Sequence, residues 1–143
     1  MKTSALLAVA VLATGLASSA ALAQVPKTKS ADGAKVYFIE PQDGATVEQE
    51  FTVKFGLVGM GVAPAGVDSE NTGHHHVLID GAAADMNAPI PADATHVHFG
   101  KGQTEARIKL APGKHTLQLL LGDKNHIPHD KPVMSDKITV TVK

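Results

Sequence analysis

The sequence predicts an all-β fold, an immunoglobulin-like β-sandwich of about seven strands. Several short segments alternate apolar and polar residues with a period of two, which is the spacing of a half-buried strand. Stretches rich in Gly, Pro, Asp and Asn separate these segments and predict turns and loops. After the N-terminal apolar segment, no stretch has the 3.6-residue apolar period of an amphipathic helix. An eight-stranded or partly open barrel is the structural alternative.

Residues 1–23 have the features of a cleaved signal peptide. Lys2 supplies a positive charge, and an apolar stretch rich in Ala, Leu and Val runs from Ala5 to Ala20. Ala21-Leu22-Ala23 then matches the small-x-small pattern that signal peptidase recognises. The stretch ends in this cleavage signal, without the flanking charge that a membrane anchor would have. We therefore expect a periplasmic or secreted protein with no membrane insertion after processing.

The remainder of the chain predicts one domain. Residues 24–34 are polar and aperiodic, which indicates a flexible lead-in, and residues 35–143 form the sandwich domain. The predicted strands are Lys35 to Glu40, Phe51 to Val58, Gly73 to Asp80, Thr95 to Phe99, Thr104 to Leu110, Lys114 to Leu121 and Lys137 to Val142. Three long loops, at residues 59–72, 81–94 and 122–136, interrupt them, and loops of this length tend to be functional or disordered.

The alternation also predicts which side chains form the core. The inward-facing residues are Val36, Phe38, Val53, Phe55, Val77, Ile79, Val97, Phe99, Leu117, Leu119, Leu121, Ile138 and Val140. In the first strand the opposite pair, Tyr37 and Ile39, is an equally apolar alternative. The chain has no cysteine, so packing of these side chains has to hold the fold without disulfides.

Composition limits the possible partners. The formal net charge is −1 at pH 7, with 13 Lys and Arg against 14 Asp and Glu. Nucleic acid or an anionic membrane surface would require a basic patch, so neither is expected as a partner. Motifs of hydrolases and phosphate-binding loops are absent from the sequence. We therefore predict a protein that is not an enzyme, with a metalloenzyme as an alternative interpretation.

Histidine is the unusual feature of the composition, at eight of 143 residues. The alternation places His74 and His76 on one strand face, and it places His96 and His98 on the face opposite Val97. A His-x-His pair on a strand separates two Cα atoms by roughly 6.5–7 Å, which suits two ligands of one metal ion. In an up-and-down sandwich these segments and the loop before the last strand meet at one end. The predicted metal ligands are His74, His76, His96, His98, His126 and His129.

Two histidines have a structural interpretation. His75 shares a face with Val77 and Ile79, which predicts a buried, hydrogen-bonded core residue. His115 begins a strand after Pro112-Gly113 and is expected to fix that turn by a hydrogen bond, as Tyr does at the equivalent corner of immunoglobulin domains.

Imidazole suits copper or zinc, and the absence of cysteine predicts an accessible, exchangeable site instead of a closed structural zinc. The leading interpretation is an exported metal-binding domain that captures or buffers copper or zinc. The alternative is an interaction module that binds another envelope protein or a carbohydrate through its long loops, with the histidines organising those loops.

The sequence resembles the bacterial family known as domain of unknown function 4399. The resemblance rests on stretches such as NTGHHHVLID, HVHFGKGQTE and LAPGKHTLQLLLGDKNHIPHD, and it extends over nearly the whole chain from Val36 onward. It implies an exported domain in which the His-rich segments are features of the family. It carries over no activity.

Overall fold

The computed structural model describes residues 25–143, and the predicted signal peptide lies outside this range. The strands are β1 (Lys35–Glu40), β2 (Thr46–Val47), β3 (Glu50–Val58), β4 (Gly61–Val62), β5 (Thr72–Ile79), β6 (His96–His98), β7 (Glu105–Lys109), β8 (Gly113–Gly122) and β9 (Ile138–Val142). Residues 25–143 contain no helix, and therefore none that could cross a membrane. Each of the seven predicted strands is present, and β2 and β4 are additional two-residue strands.

The strands form two sheets. Sheet 1 has the order β1-β3-β7, and sheet 2 has the order β2-β9-β8-β5, with β4 and β6 also paired to β5. When β2 and β4 are set aside, the other seven strands correspond in chain order to strands A to G of immunoglobulin-like sandwiches. The pairing of β3 with β7 is then B with E, and the order β5-β8-β9 is C–F–G. The predicted fold class is therefore confirmed.

The main core lies between the two sheets. Every residue that the alternation predicted to face inward belongs to this core or packs against it, and Val97 and Ile138 are the two that are only partly buried. In β1 the buried pair is Val36 and Phe38, whereas Tyr37 and Ile39 are 47% and 45% exposed. The structure thus decides between the two pairs that the sequence left open.

The outer face of sheet 2 is covered as well. Leu78 and Leu120 on this face pack against Ile90 from the loop between β5 and β6. Met86 of the same loop packs against this small cluster. The loop therefore seals part of the outer face, directly beside the histidines of β5 and β6.

The segment before β1 lies along the long loop between β8 and β9. Thr28 Oγ1 donates a hydrogen bond to Asp123 Oδ2 (2.7 Å), and Asp130 N donates to the Thr28 carbonyl (2.9 Å). Ser30 N donates to Asp130 Oδ1 (3.0 Å). The part of the predicted lead-in that the structure describes is thus tied to this loop at several points.

Candidate metal centre

Strand β5 presents histidines on both of its faces. His75 lies inside the sandwich beside Phe55, with ring centroids 4.8 Å apart, while His74 and His76 face outward because side chains alternate along a strand. Strand β6 runs antiparallel to β5 with His98 opposite His76. Directly paired residues share a sheet face, so His98 joins His74 and His76 on the outer face of sheet 2.

Four imidazole rings meet there, and we call them the four-His cluster: His74, His76, His98 and His126. One ring nitrogen from each lies within 4.8 Å of the corresponding nitrogen of the other three. The closest contact joins His74 Nε2 to His126 Nδ1 at 3.1 Å. Two strands and one loop therefore bring together residues that are up to 52 positions apart in the chain.

A tight turn in the β8–β9 loop positions the fourth ring. The Asp123 carboxylate accepts hydrogen bonds from Asn125 N (2.8 Å) and Ile127 N (2.9 Å), and the Asp123 carbonyl accepts one from His126 N (2.9 Å). Within this turn His126 has a φ of 64°, a left-handed conformation that is uncommon for residues other than glycine. Ile90 N donates to the His126 carbonyl (2.8 Å), so the loop between β5 and β6 holds the same turn.

The structure leaves two of the six predicted ligands, His96 and His129, outside the cluster. His96 lies on the same outer face, but its Nδ1 is 2.8 Å from Asp93 Oδ1 and its Nε2 is 3.0 Å from the Ala83 carbonyl oxygen. Both partners are acceptors, so protein contacts already engage both ring nitrogens of His96. Burial alone would lower the pKa of His96, but the hydrogen bonds to Ala83 and Asp93 raise it overall.

His129 is buried away from the cluster, with its Nε2 3.1 Å from the Thr72 carbonyl oxygen and its Nδ1 without a hydrogen-bond partner among residues 25–143. The two histidines with a structural interpretation lie where the sequence placed them. His75 is in the core as predicted, but the prediction that it is hydrogen-bonded is wrong, because neither ring nitrogen has a partner among residues 25–143. His115 bonds the Ala111 carbonyl oxygen (2.8 Å) and Asp80 Oδ2 (2.8 Å), and so fixes its turn as expected.

Burial and mutual repulsion keep three rings of the cluster uncharged. Burial, assisted by the nearby His126 and His98 rings, lowers the pKa of His74 to about 4. Burial and the neighbouring rings lower the pKa of His76 to about 3. Burial and His126 also lower the pKa of His98. At neutral pH these three rings are unprotonated, so a metal ion does not have to displace a proton from them.

The cluster is poorly satisfied by hydrogen bonds. His74 Nδ1, both ring nitrogens of His76, and His98 Nε2 are buried and have no partner among residues 25–143. Buried polar groups are nearly always paired, and an unsatisfied one costs about 1–3 kcal/mol. Three of the four rings of the cluster therefore each have at least one buried nitrogen that the packing of residues 25–143 leaves unsatisfied. Coordination of one cation would give these nitrogens a partner.

Two glycines make room for the rings. A Cβ atom on Gly100 would lie 2.3 Å from His98 Cε1, and one on Gly122 would lie 2.7 Å from His76 Cε1. The Gly122 Cβ would also be 3.3 Å from the His126 Cα atom, which belongs to the backbone and cannot move freely. Neither glycine needs a positive φ, so close approach of the histidine rings is the reason for glycine at both positions.

Replacing Gly100 by alanine is expected to weaken metal binding with little loss of stability. The added methyl group displaces only the end of the His98 side chain, which can rotate away from the cluster, whereas the backbone need not move. We expect about a tenfold to hundredfold weaker affinity, the range seen when a ligand's positioning is disturbed. Calorimetric titration and urea unfolding measure the two effects. Gly61→Ala is the matched control, because its Cβ would meet only ordinary contacts, the nearest at 3.5 Å. Equal affinities for the two variants would contradict the prediction.

Sequence reasoning found all four members of the cluster but not the residues that support it. Asp123, Gly100 and Gly122 were not singled out. Asp123 stands three residues before His126, the spacing of an Asp that caps a turn, and this was the available signal. Gly100 lies two residues after the end of β6, and Gly122 is the last residue of β8. Only their contacts with the His98 and His76 rings explain why both are glycine.

Comparisons with known proteins give a family and two remote structural likenesses. Residues 53–143 match the family described as Domain of unknown function (DUF4399). No curated protein matches. The X-ray structure of the endo-beta-1,4-mannanase from Thermotoga petrophila is 19% identical with a TM-score of 0.45, and the match covers 77% of this chain and 20% of the mannanase. The fibronectin(III)-like modules of Clostridium thermocellum CbhA are 14% identical with a TM-score of 0.35, over 75% of this chain and 92% of theirs. This chain therefore spans a fifth of the mannanase.

Proposed function

We propose that this chain, which belongs to the family described as Domain of unknown function (DUF4399), is an exported domain that captures or buffers copper or zinc in the periplasm. The observation that carries the proposal is the four-His cluster, whose ring nitrogens face one another within 4.8 Å. The signal-peptide features of residues 1–23 support export.

The size of the cluster fits one transition-metal ion. Zinc–nitrogen bonds of 2.0–2.1 Å in a tetrahedral site separate the ligand nitrogens by about 3.3 Å. The most distant nitrogens of the cluster, at 4.8 Å, would have to approach by about 1.5 Å. His126 lies on a loop, so small movements of its turn and of side-chain torsions would bring the rings into bonding range.

The arrangement of the rings supports zinc over Cu(II). Five of the six centroid separations lie between 4.6 and 5.0 Å, and only the His76–His126 separation is longer, at 6.0 Å. In a square arrangement, which Cu(II) favours, both diagonals would exceed the sides by about 1.4-fold. Nearly equal separations are those of a tetrahedron, the usual geometry of zinc.

Ligand chemistry adds to the same preference. The four donors of the cluster are nitrogens, whereas Cu(I) favours sulfur. Met60 packs against the main core, Met86 packs against the small outer cluster, and Met134 lines a groove beside β1. A nitrogen-only site therefore suits zinc better than Cu(I).

The coordination number supports capture over catalysis. Four protein ligands fill a tetrahedral zinc, whereas catalytic zinc keeps one position open for water or substrate. Two of the rings, His98 and His126, are only partly buried, so an ion can enter and leave from their side. His74 and His76 lie on a central strand and form the rigid half of the site.

Titration of the purified protein tests the proposal. We expect one zinc ion per chain, and an intense visible absorption with Co(II), the signature of tetrahedral coordination. His115→Gln, at the opposite end of the sandwich, is the control and should bind as the unaltered protein does. A weak octahedral Co(II) spectrum would contradict coordination by four histidines. Absence of any saturable binding would contradict the proposed function as a whole.

The second candidate, an interaction module, has one observation in its favour. A groove of about 580 Å³ runs between β1 and residues 132–138. Tyr37 and Met134 line it, and their side chains are 47% and 42% exposed. An envelope protein or a carbohydrate is the proposed ligand of such a surface. Binding there need not respond to zinc, so the metal titration separates the two functions.

A further inference from the structure

The segment before β1 contacts the loop that carries His126 through a buried carboxylate. Asp123 is only 1% exposed, and its Oδ1 holds the turn around His126, as described above. Its second oxygen, Oδ2, accepts the hydroxyl hydrogen of Thr28 at 2.7 Å. One carboxylate therefore joins the N-terminal segment to the turn that presents a ring of the four-His cluster.

Further contacts hold residues 28–32, which we call the N-terminal strap, against residues 123–131. Ser30 Oγ donates to the Lys131 carbonyl (2.9 Å), and the Lys131 ammonium pairs with Asp32 at 2.7 Å. Asp130 contacts both Thr28 and Ser30. The exposed contacts contribute little individually. Together they position Thr28 at the buried carboxylate.

The negative charge of Asp123 also acts on the cluster. Asp123 is buried and stands three residues before His126, and its carboxylate and carbonyl accept hydrogen bonds within the turn that presents the His126 ring. A divalent cation held by four neutral imidazoles would be attracted by this buried negative charge. Asp123 is therefore placed to stabilise a bound cation without coordinating it.

We infer that Thr28 and Asp123 are positioning residues of the metal site, and that docking of the N-terminal strap and metal binding reinforce each other. The inference rests on the proposed function, since it concerns the same site. Both events favour one conformation of the turn at residues 123–127. Because coupling between two binding events is reciprocal, zinc tightens the strap by the factor by which the docked strap tightens zinc binding.

Trypsin provides a direct test, because Lys27 and Lys29 flank Thr28 in the strap region. Cleavage after Lys29 requires the strap to leave the loop, so its rate reports the undocked population. We expect saturating zinc to slow this cleavage about tenfold at a protease concentration low enough for the docked and undocked strap to equilibrate. Undocking is local, so general stabilisation of the fold does not by itself slow this cleavage; it slows cleavage after Lys109, at the end of β7, where a strand has to unfold.

Substitution of Thr28 separates positioning from simple structural support. Thr28→Val removes the hydroxyl but keeps the side-chain shape, and it should weaken zinc binding about tenfold and abolish zinc protection of Lys29. Thr28→Ser restores the hydroxyl and should recover both properties. Zinc binding that leaves the rate of cleavage after Lys29 unchanged, or equal zinc affinity in Thr28→Val, would overturn the inference alone. Failure of the unaltered protein to bind either zinc or copper would overturn the proposed function with it.

Discussion

The double substitution His98→Ala plus His126→Ala is expected to weaken zinc binding by more than about a hundredfold while the metal-free protein keeps most of its stability. Loss of an outer-sphere partner alone costs about 10–100-fold in affinity, so loss of two direct ligands has to exceed that range. Both rings are only partly buried, and His98 Nε2 has no partner to lose among residues 25–143, so the main cost is the contact of His126 Nδ1 with His74 Nε2, about 1 kcal/mol. Calorimetric titration and urea unfolding of the metal-free protein measure the two quantities.

His96→Ala is the matched control for this experiment. His96 occupies the same strand and the same face as His98, but its ring bonds Asp93 and the Ala83 carbonyl. Its removal should cost about 1–2 kcal/mol of unfolding free energy and leave zinc affinity unchanged. In the reverse pattern, the double change would lower stability and His96→Ala would lower zinc affinity. That result would mean that His96 binds the metal and that the four-His cluster does not.

Acid is expected to destabilise the metal-free protein strongly between pH 6.5 and 4. The pKa of His74 and that of His75 are lowered to about 4 and that of His76 to about 3, mainly by burial, whereas an unfolded histidine titrates near 6.5. In this window the unfolded chain binds more protons than the folded chain, so the free energy of unfolding falls as pH falls. Three shifts of this size amount to several kcal/mol, comparable with the whole stability of a small domain.

Two other histidines act in the opposite direction. Hydrogen bonding to Asp80 raises the pKa of His115, and the bonds of His96 raise its pKa despite burial. Their contribution is complete below pH 6.5 and is lost as pH rises through their folded values, so it is constant in the acid window and does not change the slope there. Urea unfolding at a series of pH values between 7 and 4 gives the net slope.

His75→Leu is the control variant for the acid experiment. His75 is buried beside Phe55 on the inner face and takes no part in the cluster. Leucine removes one of the three low-pKa groups and two unpaired nitrogens, so stability should rise and its dependence on pH should become shallower. Zinc affinity should not change. A stability profile that is flat from pH 7 to 4 in the unaltered protein would mean that the buried rings accept protons in the folded state.

Much of the fold could be predicted because the two-residue alternation that marks a strand lies within the strand's own residues. The run Val36 to Phe38 and the run Leu117 to Leu121 alternate in register with the pleat, and each residue then lies on the side that burial requires. The two-residue strands β2 and β4 could not be predicted, since so short a segment has no period. Their pairing depends on the partner strands β9 and β5.

The candidate site was predicted in part, and the difference lies in hydrogen bonding across the chain. Alternation alone placed His96 and His98 on one face, and both lie there. Only tertiary contacts with Asp93 and Ala83 occupy the His96 ring and separate it from its neighbour. The approach of His126 instead of His129 to the cluster depends on the turn at residues 123–127, which hydrogen bonds to the Asp123 carboxylate hold in place.

The sequence by itself determined the β class, the approximate strands, the inward-facing residues and the presence of histidines on one strand face, because these follow from a two-residue period that each segment carries internally. The tertiary structure alone decided which four rings meet, that burial leaves at least three of them uncharged, and that the N-terminal strap reaches the carboxylate behind them. Convergence, desolvation and long-range hydrogen bonds depend on groups up to 101 positions apart, and a local period holds no information about such distances.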